Sequence, residues 1–153
     1  MGNDWGANDA GRVPLFDRLV DEHRYQRSEP RPKRSLDRDE LRASIHRELT
    51  RLFGTRCPIT GDVALTRQRT TLDYGLPDLE LGGRALVKED RLRVARLLRQ
   101  TIEAFEPRLQ RVEVELLDRR DGGTRLVVAI RAVLVTERVR EPLSFDMPLP
   151  EGT

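Results

Sequence analysis

The stretch "RLVVAIRAVLVT", residues 125–136, constrains this chain more than any other. In an extended backbone, successive side chains point to opposite faces. Here both rows are apolar: Leu126, Val128, Ile130, Ala132 and Leu134 on one, and Val127, Ala129, Val133 and Val135 on the other, with only Arg131 breaking the second. Such a strand belongs inside a sheet, with apolar cover on each face. Just upstream, "RVEVELLD" alternates Val112, Val114 and Leu116 with Glu113 and Glu115, the pattern of a strand with one wet face. "DRRDGG" between the two reads as a Gly-rich hairpin connection. A third strand is expected around Leu143 to Met147, with Phe145 on it. Pro142 and Pro148 bracket it and suit a sheet edge.

Two helices precede the strands. Leu41, Ile45, Leu49, Leu52 and Phe53 recur at helical spacing, Ser35 or Asp37 can cap the segment, Asp37 making a capping pair with Glu40, and Gly54 closes it. The second runs from about Glu89 to Phe105, with an expected buried stripe of Leu92, Ala95, Leu97 or Leu98, Ile102 and Phe105. Pro107 forbids its continuation and pushes Glu106 towards an extended shape. Residues 55–69 show no period and read as a loop. Thr70 to Tyr74 read as extended, and Gly-Leu-Pro-Asp after them as a turn in which Gly75 takes a backbone angle that side chains resist.

The fold class that follows is α+β: two main helices on a small, three- or four-stranded antiparallel sheet. Residues 36–150 form a single domain. Residues 1–35 form a flexible leader, too polar and too rich in Gly, Pro and Arg to offset its ordering entropy, with a short helix near 14–20. Leu15, Phe16 and Leu19 make an apolar patch on that helix. Two readings fit it: docking on its own domain, or anchoring another chain. Two helices can cover one face of the sheet, so the other face awaits the leader or another protein.

Composition narrows the function. Apolar residues make up 37% and charged ones 35%, so a core is affordable but thin, as in a small domain that borrows buried surface from partners. Lys33 and Lys88 are the only lysines; the remaining basic residues are arginines, whose planar forks favour bidentate contacts with carboxylates. Interspersed acids leave no basic block of the kind that binds nucleic acid. Cys57 is alone, which excludes an internal disulfide and suits a reducing compartment. The longest apolar run, five residues from Leu126, is too short to span a bilayer, and the start carries no secretion signal; the expectation is a cytoplasmic protein without direct membrane insertion.

Chemistry is scarce. No phosphate loop, HExxH, CxxC or nucleophile elbow occurs, His23 and His46 have nothing to orient them, and no metal or cofactor is expected. A glycosidase needs one carboxyl tuned beside a sugar cleft, and the single tryptophan lies in the polar leader. What remains is "FEPRL", residues 105–109, where Glu106 and Arg108 flank the rigid Pro107 between helix and sheet. The bland reading is a surface ion pair worth roughly 0–1 kcal/mol. The sharper one is a pair of charged groups held ready for a neighbouring chain, with Arg108→Glu sparing the fold and blocking assembly.

Taken in order, "LFDRL", "SIHRELTRLFGTR", "TTLDYGLPDL", "IEAFEPRL", the "VEVELLD" to "VVAIRAVL" hairpin and "EPLSFDMPL" resemble the TssE family. These are wedge subunits of the type VI secretion baseplate, related to the lysozyme-like wedge proteins of contractile phage tails. The resemblance spans about residues 13–150, and the pairing of "DYGLPD" with "FEPRL" makes it specific. It implies a structural, non-enzymatic protein at the inner face of the cell envelope. Its implied partners are TssF, TssG and TssK-type wedge subunits, TssB/TssC-type sheath proteins and the hub. It places the family's motif on Glu106, Pro107 and Arg108, and a helix-cap tyrosine on Tyr74. The expected mechanism is main-chain pairing of a sheath arm with the edge strand near Leu143 to Met147. The rival is a cell-wall muramidase.

Overall fold

The computed structural model describes residues 9–19, 35–79, 87–120 and 124–149, without the side chains of Leu15, Phe16, Arg119, Arg120, Thr124 and Arg125. In chain order its elements are β1 (Gly11–Arg12), α1 (Leu15–Leu19), β2 (Ser35–Leu36), α2 (Arg38–Gly54), β3 (Arg56–Thr60), α3 (Gly61–Thr66), a single 3-10 turn (Thr71–Asp73), β4 (Leu76–Asp78), α4 (Lys88–Phe105), β5 (Leu109–Arg120), β6 (Thr124–Val135) and β7 (Arg140–Pro148). The class is α+β, and the main sheet is antiparallel in the order β5-β6-β7. The double-apolar segment is its central strand. The tip joining β5 to β6 lies outside the described residues.

Helix α2 starts at the expected box: the Asp37 side chain accepts from the Glu40 amide at 2.9 Å, and Glu40 reaches back to the Asp37 amide at 3.0 Å. It buries Leu41, Ser44, Ile45, Leu49, Leu52 and Phe53. Helix α4 has the expected limits but a rotated face. Val94, Leu97, Leu98, Thr101 and Ile102 are buried, whereas Leu92 is 60% exposed. With apolar and small residues on several sides of the helix, spacing alone did not choose the face; contact with the sheet did. The helices share one face of the sheet: Arg91 of α4 binds Asp118 of β5 at 2.9 Å, while His46 of α2 packs on the ring of Phe145 in β7.

The segment expected to be a loop holds β3 and α3. β3 pairs in parallel with β4, Arg56 opposite Leu76, so the stretch expected to be a turn is a strand and the stretch expected to be extended is the 3-10 turn. These pieces are too short for a period to show; their main-chain groups are satisfied only across the pair. Gly75 behaves as expected. Its φ is +111°, and a Cβ there would lie 2.5 Å from the Thr55 carbonyl oxygen. That carbonyl accepts from the Leu76 amide at 2.8 Å, so the close approach lets β4 start beside β3.

The leader is partly built into the body. β1 and β2 form a short antiparallel ladder, the Ala10 amide donates to the Leu36 carbonyl at 2.7 Å, and the Ala10 carbonyl accepts from the Thr136 hydroxyl at 2.6 Å. Ala10 and Leu36 belong to the core cluster. β1 and β2 thus fasten the chain to the body on both sides of residues 13–34. The opposite face of the sheet is covered by none of the described helices. It is less greasy than the sequence suggested: Leu117 is 41% exposed, but Val127 and Ala129 are buried, and the register sets Ala129 between Glu115 and Asp146.

Candidate functional site

Helix α4 ends at Phe105, and Pro107 turns the chain into β5. At this joint Glu106 is only 3% exposed. A buried carboxylate must be paired and hydrogen-bonded, and the partner is two residues away. Arg108 donates from Nε to Oε1 at 2.7 Å and from Nη2 to Oε2 at 2.6 Å, and its amide reaches Oε1 at 3.3 Å. Pro107 is what folds the two side chains onto each other, since its ring limits the turn between them. The surface-pair reading is therefore replaced by a buried fork. Glu106 turns inward to Arg108 and is not displayed to a neighbour.

The fork is one end of a longer network. Arg108 Nη1 lies 3.4 Å from the hydroxyl oxygen of Ser44, itself fully buried on α2. That hydroxyl donates to Asp17 Oδ2 of α1 at 3.0 Å, and Arg47 donates to the same oxygen at 3.0 Å. Arg51 lies 3.7 Å from Asp17 and 2.6 Å from Glu48. Burial works against the charge on Arg108, but the hydrogen bonds to Glu106 and the charges of Glu106, Glu48 and Asp17 outweigh it, so its pKa is raised.

Tyr74 belongs to the same neighbourhood. Its ring meets Phe105 edge-on, centroids 5.3 Å apart, and Arg69 covers Phe105 at 5.4 Å. Arg69 also donates to the carbonyls of Asp73 and Gly75 at 2.7 and 2.8 Å. Burial and then the charge of Glu48 push the Tyr74 hydroxyl pKa up. Asp73 is closed in by Arg67 at 2.6 Å and by the amide and hydroxyl of Thr70, both at 2.9 Å. Foremost through Arg67, these bonds lower its pKa to about 2. "TTLDYG" and "FEPR" are thus two halves of one clasp at the end of α4.

Of the site residues expected from sequence, Glu106, Pro107, Arg108 and Tyr74 come together. Leu19 is exposed on α1, and the packing of Leu15 and Phe16 lies outside the described residues. Phe145 stands apart on β7, turned towards His46. Asp17, Ser44, Arg47 and Arg51 were missed. A signal existed: Ser44 interrupts the apolar face of α2, and Arg47 and Arg51 follow it at helical spacing.

The two sheet edges differ. Main-chain groups alternate sides along an antiparallel strand. The Leu149 amide donates to the Leu126 carbonyl at 3.0 Å, so the odd-numbered residues of β7 face β6 and the even-numbered ones face outward. Pro142 and Pro148 are among the latter and remove two outward donors. On β5, the Val135 amide donates to the Arg108 carbonyl at 2.8 Å, which turns the odd residues of β6 to β5 and leaves the amides of Val114, Leu116 and Asp118 pointing outward without a proline among them.

The profile of the family described as "Baseplate wedge protein gp25" matches residues 39–139, a span that holds α2, the 3-10 turn, α4, the joint and the β5–β6 ladder. This chain belongs to that family. The gp25 family members are structural baseplate wedge proteins, and both halves of the clasp lie inside the matched span. A chain from a solved structure described as "The baseplate complex from the type VI secretion system" is similar over 74% of this chain and 97% of its own, at 17% identity and a TM-score of 0.48. No curated protein matches significantly. Among the described residues, no helix is long and apolar enough to cross a membrane.

Proposed function

We propose that this chain is the TssE-type wedge subunit of a type VI secretion baseplate, without enzymatic activity, which joins the TssF and TssG subunits and starts the sheath. The observation that carries the reading is the gp25 family match across residues 39–139. The order of "DYGLPD" and "FEPRL" within it, resembling TssE, favours a secretion machine over a phage tail. TssK-type subunits, TssB/TssC-type sheath proteins and the hub are the further neighbours in this reading. Its place is the cytoplasmic side of the envelope. The clasp at the joint gives the protein a rigid corner between its helices and its sheet, as a wedge part needs. Glu106 serves that corner: both its oxygens accept from Arg108, which leaves it poorly placed to protonate a glycosidic oxygen in a muramidase.

For the sheath contact, main-chain pairing at a sheet edge fits the fold. The outward prolines of β7 speak against the edge near Leu143 to Met147, and Phe145 turns inward. We assign the arm to the outer edge of β5, where Val114, Leu116 and Asp118 offer consecutive outward amides. Repetition around a ring would make weak single contacts effective. Deleting the chain from its host should abolish contractile sheaths followed through a fluorescent sheath protein, and its tagged form should co-purify with wedge subunits. Normal sheaths in its absence, or cleavage of cell-wall glycan by the purified wild type, would overturn the reading.

A further inference from the structure

We infer that the strand received at the outer edge of β5 is basic and amphipathic, with cationic side chains opposite Glu113 and Glu115 and apolar ones opposite Val114 and Leu116. This deepens the edge contact proposed above and rests on it. Two rows of side chains define the site. On the open face, Glu113 and Glu115 alternate along the edge strand, and both are exposed. The register sets Glu113 opposite Arg131 and Glu115 opposite Ala129, so β6 places one guanidinium directly across from two carboxylates. Arg131 goes to Glu115, at 3.8 Å, and Glu113 has no ion pair among the described residues. The edge row thus keeps an uncompensated negative charge beside its outward main-chain groups. On the helical face, Leu116 is buried, while Val114 is only partly covered where it packs against the core.

A strand added here meets both rows at once, because its side chains alternate faces in step with those of β5. Opposite charges directly across a ladder attract and like charges repel, so a cationic side chain beside Glu113 is favoured and an acidic one is rejected. On the other face, an apolar side chain beside Val114 completes its cover. The ladder also has a built-in end. Arg111, at a φ of +53°, lies in the bulge that breaks the register between Gln110 and Glu113. Regular pairing therefore starts at Glu113, and the outward amides within it are those of Val114, Leu116 and Asp118. A second copy of this chain is the poorer occupant. Two-fold antiparallel pairing centred on Val114 sets Glu113 opposite Glu115, and centring on Glu115 sets that residue against itself. The carboxylates that select a basic strand thus also keep the edge from pairing with its own kind.

The test uses the full-length chain and three capped, fluorescein-labelled strand peptides: Thr-Arg-Val-Arg-Val-Thr and its counterparts with Gln or Glu in place of Arg. Anisotropy should show the basic peptide binding about tenfold more tightly than the acidic one, with the neutral one between them. Glu113→Gln together with Glu115→Gln should shrink that preference to about twofold or less, and arginine at both positions should invert it. Both residues are exposed, so circular dichroism and melting temperature should stay at wild-type values. The bound basic peptide should slow hydrogen exchange at the amides of Val114, Leu116 and Asp118. N-methylation of every second peptide amide, in one of its two alternations, should abolish binding. If all three peptides protect those amides equally, or the preference survives substitution of both glutamates, the charge inference falls and the edge contact stands. If the basic peptide binds without protecting them, tolerates methylation in both alternations, or no peptide protects them at millimolar concentration, the edge contact falls and takes the inference with it. A concentration-dependent wild-type dimer that protects the same amides would overturn the inference by making a second copy the occupant.

Discussion

Two Glu–Arg pairs on either side of the same sheet behave as different objects. Glu106 and Arg108 make a bidentate fork inside the joint, with distances of 2.7 and 2.6 Å. Glu115 and Arg131 meet at 3.8 Å on the open face, their side chains 58% and 65% exposed. The first pair is largely shielded, Glu106 at 4% and Arg108 at 20% side-chain exposure, so removing one member leaves the other poorly solvated. The second is solvated and adds little. Residue type is the same; the dielectric surroundings set the job. In this molecule the helical side of the sheet holds a hydrogen-bonded charge network, whereas the open side carries a solvated pair.

The sharpest way to break this contrast is Arg108→Glu. It sets a second carboxylate against buried Glu106, and we expect a loss of about 3–5 kcal/mol in denaturant unfolding. This reverses the expectation that the fold would be spared, and a wild-type midpoint would refute the buried fork. Gly75→Ala, which loads the clasp's backbone instead of its charges, should cost about 1–3 kcal/mol because its Cβ meets the Thr55 carbonyl at a φ of +111°. Ser44→Ala keeps the fork but cuts its link to Asp17; a loss of about 1 kcal/mol is expected, and none at all would detach the leader from the joint. The clasp should also carry an acid limb. Asp73 has its pKa lowered to about 2, so its contribution is complete above the usual aspartate range and disappears as pH falls from about 4 towards 2. Asp73→Asn should remove that limb from the stability profile. On the open face, Glu115→Ala should shift stability by no more than about 0.5 kcal/mol, with the remainder erased by salt. A larger shift there would mean that the two faces are not different in kind.

Much of the frame was legible from residues. The capping box at Asp37, the limits of both long helices and the both-sided strand rest on local physics that survives in any tertiary setting. The joint was legible as a place but not as a chemistry. "FEPRL" announces a helix end and a rigid turn, yet only folding brings Ser44 and Asp17 to Arg108, from far apart in the chain. Strands β3 and β4 were illegible because each is short and depends on the other for its hydrogen bonds.

β5 shows most compactly where sequence and structure divide. Leu109 and Val112 are both buried although they lie three positions apart, which a regular strand cannot arrange. A bulge resolves it: Arg111 has a φ of +53°, and one extra residue between Gln110 and Glu113 resets the inward row. The sequence by itself determined that Val112, Val114 and Leu116 form a face, because alternation is a property of the extended chain. Only the tertiary structure decided that Leu109 shares that face and that Glu106 turns inward to Arg108. Both depend on how the end of α4 is seated against the sheet, and no local pattern of side chains encodes that packing.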